Sequence, residues 1–154
     1  MALPRCLALA ALVAAASAAA AVARPIVGGD GADRIVGTAQ ADTINALGGD
    51  DRITAAGGDD VVAAGPGDDE VFGGPGDDRL FGGPGDDRLF GGPGDDELVG
   101  EGGADRLYGG PGSDTIRARD GRRDVVRCGA GRDRVVADRR DAVARDCESV
   151  SRHG

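Results

Sequence analysis

The chain has no lysine, one histidine, one tyrosine and three phenylalanines among its 154 residues. With aromatics at only 3%, an ordinary interdigitated core is excluded, and order must come from another source. The lone histidine, His153, leaves no credible base for a serine or cysteine nucleophile. It also removes the nitrogen ligands that zinc and softer metals prefer. Long apolar runs are confined to the first two dozen residues; beyond them nothing is long enough to span a bilayer.

That first stretch has the form of a leader. Arg5 supplies a positive start, "CLALAALVAAASAAAA" a short apolar segment, and Ala21-Val22-Ala23 a cleavage site before Arg24. Residues 1–23 therefore read as a signal peptide and 24–27 as a short N-terminal segment. Cys6 falls inside the leader and lacks a lipobox. The other two cysteines, Cys128 and Cys147, are then expected in an oxidising compartment outside the cell, where an isolated pair is most simply a disulfide.

What is abundant is glycine, at 29 residues, and aspartate. Charge is segregated along the chain. Residues 28–116 hold 20 acids against 5 arginines, whereas 117–154 hold 7 acids against 11 arginines, within a formal total of −9. An acidic middle attracts cations and repels nucleic acid and anionic lipid. The arginine-rich end has acids interleaved throughout, as in "RDRVVADRRD", which argues against polyanion binding.

The phrase "GGPGDDRLF" then repeats with a period of nine. In the frame G-G-x-G-x-D-x-U-x, where U is aliphatic, ten copies begin at residues 28, 37, 46, 55, 64, 73, 82, 91, 100 and 109. The sixth position is always aspartate: Asp33, Asp42, Asp51, Asp60, Asp69, Asp78, Asp87, Asp96, Asp105 and Asp114. The eighth is always Ile, Val or Leu, from Ile35 to Ile116. One inserted residue breaks the phase, after which Asp124-x-Val126 and Asp133-x-Val135 restore the pattern and Asp141-x-Val143 echoes it. The ten copies define a repeat domain over 28–117, degenerate repeats and a cap over 118–150, and a tail over 151–154.

Each copy reads as a turn followed by a very short strand. Gly-Gly-Pro-Gly supplies positive φ values and one fixed φ, while Arg79-Leu80-Phe81 alternates with its middle residue facing one side. A strand of three residues must pair with copies above and below it. The period therefore predicts an all-β parallel solenoid with two copies per coil. Residues 18 apart then stack, placing Asp69, Asp87 and Asp105 in one column and Asp78, Asp96 and Asp114 in the other, about 4.8 Å apart per coil.

One aliphatic residue per copy buries little, and stacked carboxylates repel, so a cation is the expected stabiliser. Two glycine-rich turns at this separation can surround an ion with aspartate oxygens and backbone carbonyls. That hard, flexible, all-oxygen environment suits calcium better than magnesium.

With these residues the chain resembles the hemolysin-type calcium-binding repeat family, the repeats-in-toxin nonapeptides. The resemblance covers residues 28–117 in register and implies a right-handed parallel β-roll holding several calcium ions between turns, roughly 6–8. It implies that the ten sixth-position aspartates are side-chain ligands. The turn backbone at Gly65, Gly67, Gly74, Gly76, Gly83, Gly85, Gly92, Gly94, Gly110 and Gly112 would supply carbonyls or tight geometry. Pore-forming members carry a long apolar domain and acylated lysines, and this chain has neither, so the likeness concerns the repeats and not a toxin activity.

Other chemistries fit less well. Adjacent carboxylates such as Asp77-Asp78 point apart and recur at every turn, unlike an acid/base pair in one pocket. Ser113 in "PGSDT" is a repeat turn and no nucleophile elbow. Windows such as "DDEVFGGPGDDE" put Phe72 where an EF-hand needs a ligand. Phe72, Phe81, Phe90 and Tyr108 all occupy the ninth position and should face outward, with Phe72, Phe90 and Tyr108 in one column. They are expected either to stiffen the sheet by stacking or to form an apolar strip that docks a partner, a cell-surface glycan or a second copy of the chain.

These observations point to a secreted, extracellular calcium-binding repeat protein that folds on binding calcium, structural or surface-associated in use, and not an enzyme. The alternatives are an adhesive module using the aromatic strip, or a remnant of a secreted protease or lipase without its catalytic domain.

Overall fold

The computed structural model describes residues 12–14 and 25–153. The leader assigned to residues 1–23 lies almost entirely outside the described residues. Sixteen short strands, numbered β1 to β16 in chain order, form two parallel sheets, and the described residues contain no helix. The first sheet runs β1 (Leu12–Ala14), β3 (Arg34–Val36), β5 (Arg52–Thr54), β7 (Glu70–Phe72), β9 (Arg88–Phe90), β11 (Arg106–Pro111), β13 (Val125–Ala130) and β15 (Ala142–Val143). The second runs β2 (Ile26–Val27), β4 (Thr43–Asn45), β6 (Val61–Ala63), β8 (Arg79–Pro84), β10 (Glu97–Gly102), β12 (Thr115–Ala118), β14 (Arg134–Asp138) and β16 (Ser149–His153).

Consecutive strands thus alternate between sheets, and two copies of the repeat make one coil of a solenoid. Val71 pairs with Leu89 and Leu89 with Leu107 in one sheet; Leu80 pairs with Leu98 and Leu98 with Ile116 in the other. The step is 18 residues, and it holds because a slip of one would turn every aliphatic side chain outward.

The interior consists of three parallel ladders. The eighth-position aliphatics from Ile35 to Ile116 are all buried, 0–1% exposed. In the ten copies the first position carries only glycine or alanine, with Ala46, Ala55 and Ala64 fully buried; a Cβ on Gly73 would meet Oδ2 of Asp78 at 2.3 Å and the Gly91 carbonyl of the next coil at 2.7 Å. The third ladder is the sixth-position aspartate.

The ends extend the coil beyond the ten in-register copies. Ile26 occupies the aliphatic slot one coil before Ile44, so the short segment preceding residue 28 already forms β2. After Ile116 the step becomes 19, with Leu107 opposite Val126 and Ile116 opposite Val135; the extra residue is absorbed in the turn between β12 and β13. Residues 118–153 continue the solenoid, with Val143 opposite Val126 and Val150 opposite Val135. Cys128 takes a buried small-residue position and forms a disulfide with Cys147, tying the last loop to β13.

Candidate metal centre

The sixth-position aspartate precedes the strand and faces inward, on the same side as the aliphatic residue two places later. Asp51, Asp60, Asp69, Asp78, Asp87, Asp96, Asp105 and Asp114 are each at most 2% exposed. One oxygen of each is satisfied. The amide of Asp51 donates to Oδ1 of Asp69, that of Asp69 to Oδ1 of Asp87, and that of Asp87 to Oδ1 of Asp105, at 2.7, 2.8 and 2.9 Å. The other column repeats this through Asp60, Asp78, Asp96 and Asp114.

The second oxygen has no partner. Among the described residues, Oδ2 of those eight aspartates, and of Asp133, is buried and accepts no hydrogen bond. Beside five of them glycine keeps the space open, since a Cβ on Gly73, Gly82, Gly91, Gly100 or Gly109 would lie 2.2–2.3 Å from Oδ2 of the aspartate five residues on; beside Asp51, Asp60 and Asp69 the same position holds Ala46, Ala55 and Ala64. Orphaned buried carboxylate oxygens are costly. Burial accordingly pushes the Asp87 carboxyl up to about 7, against the hydrogen bond from the Asp69 amide and with help from the charges of Asp105 and Asp69. Asp96 and Asp124 are also raised to about 7, and Asp60, Asp69, Asp78, Asp105 and Asp114 to about 6, desolvation leading in every case.

The first coil differs. Asp33 and Asp42 are half-buried, and their Oδ2 atoms accept the amides of Gly29 and Thr38 at 2.6 Å, with Thr38 Oγ1 also donating to Asp42 at 2.9 Å. Later turns direct that amide elsewhere: Gly74 N donates to the Gly91 carbonyl and Gly92 N to the Gly109 carbonyl, both at 2.9 Å. That rearrangement is what leaves Oδ2 bare in the central coils.

All ten turn glycines singled out in the sequence have positive φ, from +108° at Gly65 to +147° at Gly112. Their role is steric as well as conformational. A Cβ on Gly92 or Gly94 would lie 2.3 or 1.9 Å from the carbonyl oxygen of Gly74 or Gly76 in the preceding coil. Carbonyls of one turn therefore press directly on the next, and a Cβ on Gly91 would meet both Oδ2 of Asp96 at 2.2 Å and the Gly109 carbonyl at 2.7 Å.

Two features escaped the repeat frame. The fifth-position aspartates are exposed but form their own ladder in the opposite direction: Asp77 N donates to Oδ1 of Asp59, Asp86 N to Asp68 and Asp95 N to Asp77, at 2.9–3.0 Å. Their recurrence in six successive copies, Asp50 to Asp95, was the available signal. At the far end, Asp141 and Glu148 accept the amides of Asp124 and Asp133, so Glu148-x-Val150 closes a column whose last copy has no aspartate.

Among the described residues, no three His, Cys, Asp or Glu side chains converge on one point. A cation here would have to combine a carboxylate oxygen from a buried column with backbone oxygen. Bare, buried, anionic oxygens in glycine-lined niches fit a hard cation and offer nothing to a soft one.

Ninth-position aromatics lie on the outside. Phe72 stacks on Phe90 and Phe90 on Tyr108, each with ring centroids 4.8 Å apart and planes within 5°. Arg52 covers the outer face of Phe72 at 5.1 Å, and Arg127 covers Tyr108 at 5.8 Å. Phe81 belongs to the other sheet, between Ala63 and Val99.

A parallel β-solenoid with aspartate columns buried behind glycine turns is a cation-binding repeat scaffold. The family model for the RTX calcium-binding nonapeptide repeat, described as four copies, matches residues 27–62, 54–89, 63–98, 81–116 and 90–125. Together these cover residues 27–125 of 154, and the chain belongs to this family of calcium-binding repeat proteins. Comparison with curated proteins gave no match.

Proposed function

We propose that the protein is secreted, that calcium completes its folding, and that its use outside the cell is structural or surface-associated. The observation that carries this reading is the row of buried Oδ2 atoms without partners. We assign Asp51, Asp60, Asp69, Asp78, Asp87, Asp96, Asp105 and Asp114 as the principal side-chain ligands, with turn carbonyls completing each site. Asp33 and Asp42, whose Oδ2 atoms are already hydrogen-bonded, are assigned weaker sites. Bound calcium supplies the positive charge that each column lacks; the chain's own contribution is to hold its carboxylates at one-coil spacing and shield them from water.

Support for a non-catalytic role comes from the same geometry. The carboxylates that line one face of the roll, among them Asp60, Asp78 and Asp96, repeat at one-coil spacing along an open groove instead of forming one unlike acid/base pair. Ser151 Oγ lies 3.0 Å from His153 Nε2, but the pair is exposed on β16 and among the described residues no carboxylate hydrogen-bonds to the imidazole. The aromatic ladder favours stiffening over glycan capture, since the ring faces a sugar would stack on are covered by one another and by arginine.

The test is a circular dichroism titration of the mature chain at pH 7.5, with magnesium as control and chelator for reversal. A cooperative transition to β structure in calcium alone, at about 0.1–1 mM, is expected. A chain fully folded in chelator would reject the proposal.

A further inference from the structure

The two C-terminal coils carry an outward-facing arginine patch. Turns 100–104, 119–123 and 138–141 lie in one column: Gly103 N donates to Oδ2 of Asp120 at 2.9 Å, and the amides of Asp120 and Gly121 donate to Oδ2 of Asp138 at 3.1 and 2.6 Å. Oδ1 of Asp120 also accepts the Arg122 amide at 2.6 Å. The acids interleaved with the arginines are therefore engaged by backbone amides along the stack. Arg119, Arg122, Arg123, Arg139 and Arg140 are all exposed, and among the described residues none is within ion-pair distance of a carboxylate. Asp120 and Asp138 keep their charge, but with no ion pair to these arginines among the described residues the guanidinium donors stay free for an external anion.

The same edge is acidic further up. Asp30, Asp50, Asp68, Asp86 and Glu101 are exposed on successive turns of this column. Coils are about 4.8 Å apart, so the nearer acids lie within a Debye length of about 8 Å and would repel an approaching polyanion. Calcium changes that balance, because about six divalent ions outweigh the formal charge of −10 that is left once Arg5 departs with the leader from a total of −9.

We propose that this patch binds a carboxylate-bearing polysaccharide once calcium has filled the roll. The inference rests on the calcium-loaded reading above. Guanidinium groups pair with carboxylates through two parallel hydrogen bonds, and arginines on successive turns can meet successive carboxylates of a linear chain. A single-stranded nucleic acid is the poorer fit, since the stacked rings have their faces covered and offer no platform for bases.

The experiment measures binding of the mature protein to hyaluronate in calcium, with neutral dextran as control and circular dichroism recorded on the same samples. The triple variant Arg122→Ser, Arg123→Ser, Arg139→Ser should fold normally in calcium and lose about tenfold or more in affinity. A second triple variant, Arg34→Ser, Arg88→Ser, Arg106→Ser, removes the same charge from the outer face of a sheet and should retain binding. Equal loss in both variants, no binding by the folded wild type, or duplex DNA bound as tightly through the same arginines would each overturn the proposal. Failure of calcium to fold the chain would instead sink the underlying calcium reading, and dichroism distinguishes the two.

Discussion

The backbone amide of Asp69 donates to Oδ1 of Asp87, 18 residues further along the chain, at 2.8 Å, while Oδ2 of Asp87 accepts nothing. This relationship recurs through the central coils. It converts a one-dimensional period into two interior columns, each carboxylate half-satisfied by the coil before it and half-available to a cation.

Removing the charge while keeping the acceptor should separate these two roles. Asp78→Asn retains an oxygen for the Asp60 amide, now at 2.9 Å from Oδ1 of Asp78, but no longer places a carboxylate in the column. The calcium midpoint should rise several-fold and the number of bound ions fall by isothermal titration. Asp77→Asn, at an exposed fifth position, should change both far less. Equal effects would argue against ligand roles for the buried columns.

Acidity should substitute in part for calcium. Asp87 and Asp96 are raised to about 7 and several neighbours to about 6, against an ordinary value near 4 in the unfolded chain. The folded state therefore binds more protons than the unfolded state between those values, and its stability falls as pH rises through them. In chelator, β structure by circular dichroism should be greatest near pH 4–5 and lost towards pH 7.5. Saturating calcium should abolish that loss.

Turn glycines should differ sharply by position. At Gly94 φ is +145° and a Cβ would meet the Gly76 carbonyl at 1.9 Å, whereas at Gly102 a Cβ would meet nothing within 4 Å. Gly94→Ala should cost about 2 kcal/mol or more in calcium, and Gly102→Ala under about 0.5 kcal/mol. Chemical denaturation of the two variants checks this.

Loss of the Cys128–Cys147 disulfide should loosen the end of the solenoid first. For a separation of 19 residues, the double substitution to serine should cost about 3 kcal/mol. Hydrogen exchange should show β15 and β16 opening while the central coils remain protected; uniform loss of protection would mean that the bridge supports the whole roll.

The aromatic stack should behave as a stiffener. Phe90 contacts a ring on either side, so Phe90→Ser should lower stability by about 1–3 kcal/mol, while Phe81→Ser, with no ring neighbour in its column, should cost less. Thermal unfolding in calcium distinguishes them.

Much of this was legible before folding because the repeat is so short. Nine residues leave room for one turn and one short strand, three residues long in β7 and β9 and six in β8 and β10, so Leu80 can bury itself only by pairing with its counterparts 18 residues away. Register, the two aspartate columns and the ring order Phe72–Phe90–Tyr108 follow from that arithmetic. The Glu148-x-Val150 closure was less visible, since glutamate departs from the aspartate rule and its spacing from Asp133 is 15 instead of 18.

The sequence by itself determined the period, the side of the strand each residue faces and the acidic, oxygen-rich character of the interior, all properties of local turn chemistry and alternation. Only the tertiary structure decided which oxygen of each buried aspartate is satisfied, that fifth- and sixth-position ladders run in opposite directions, and that Asp120 and Asp138 leave the neighbouring arginines unpaired. Those outcomes depend on where an amide from a different coil falls within about 3 Å, and a distance between coils is set by stacking, which no single copy contains.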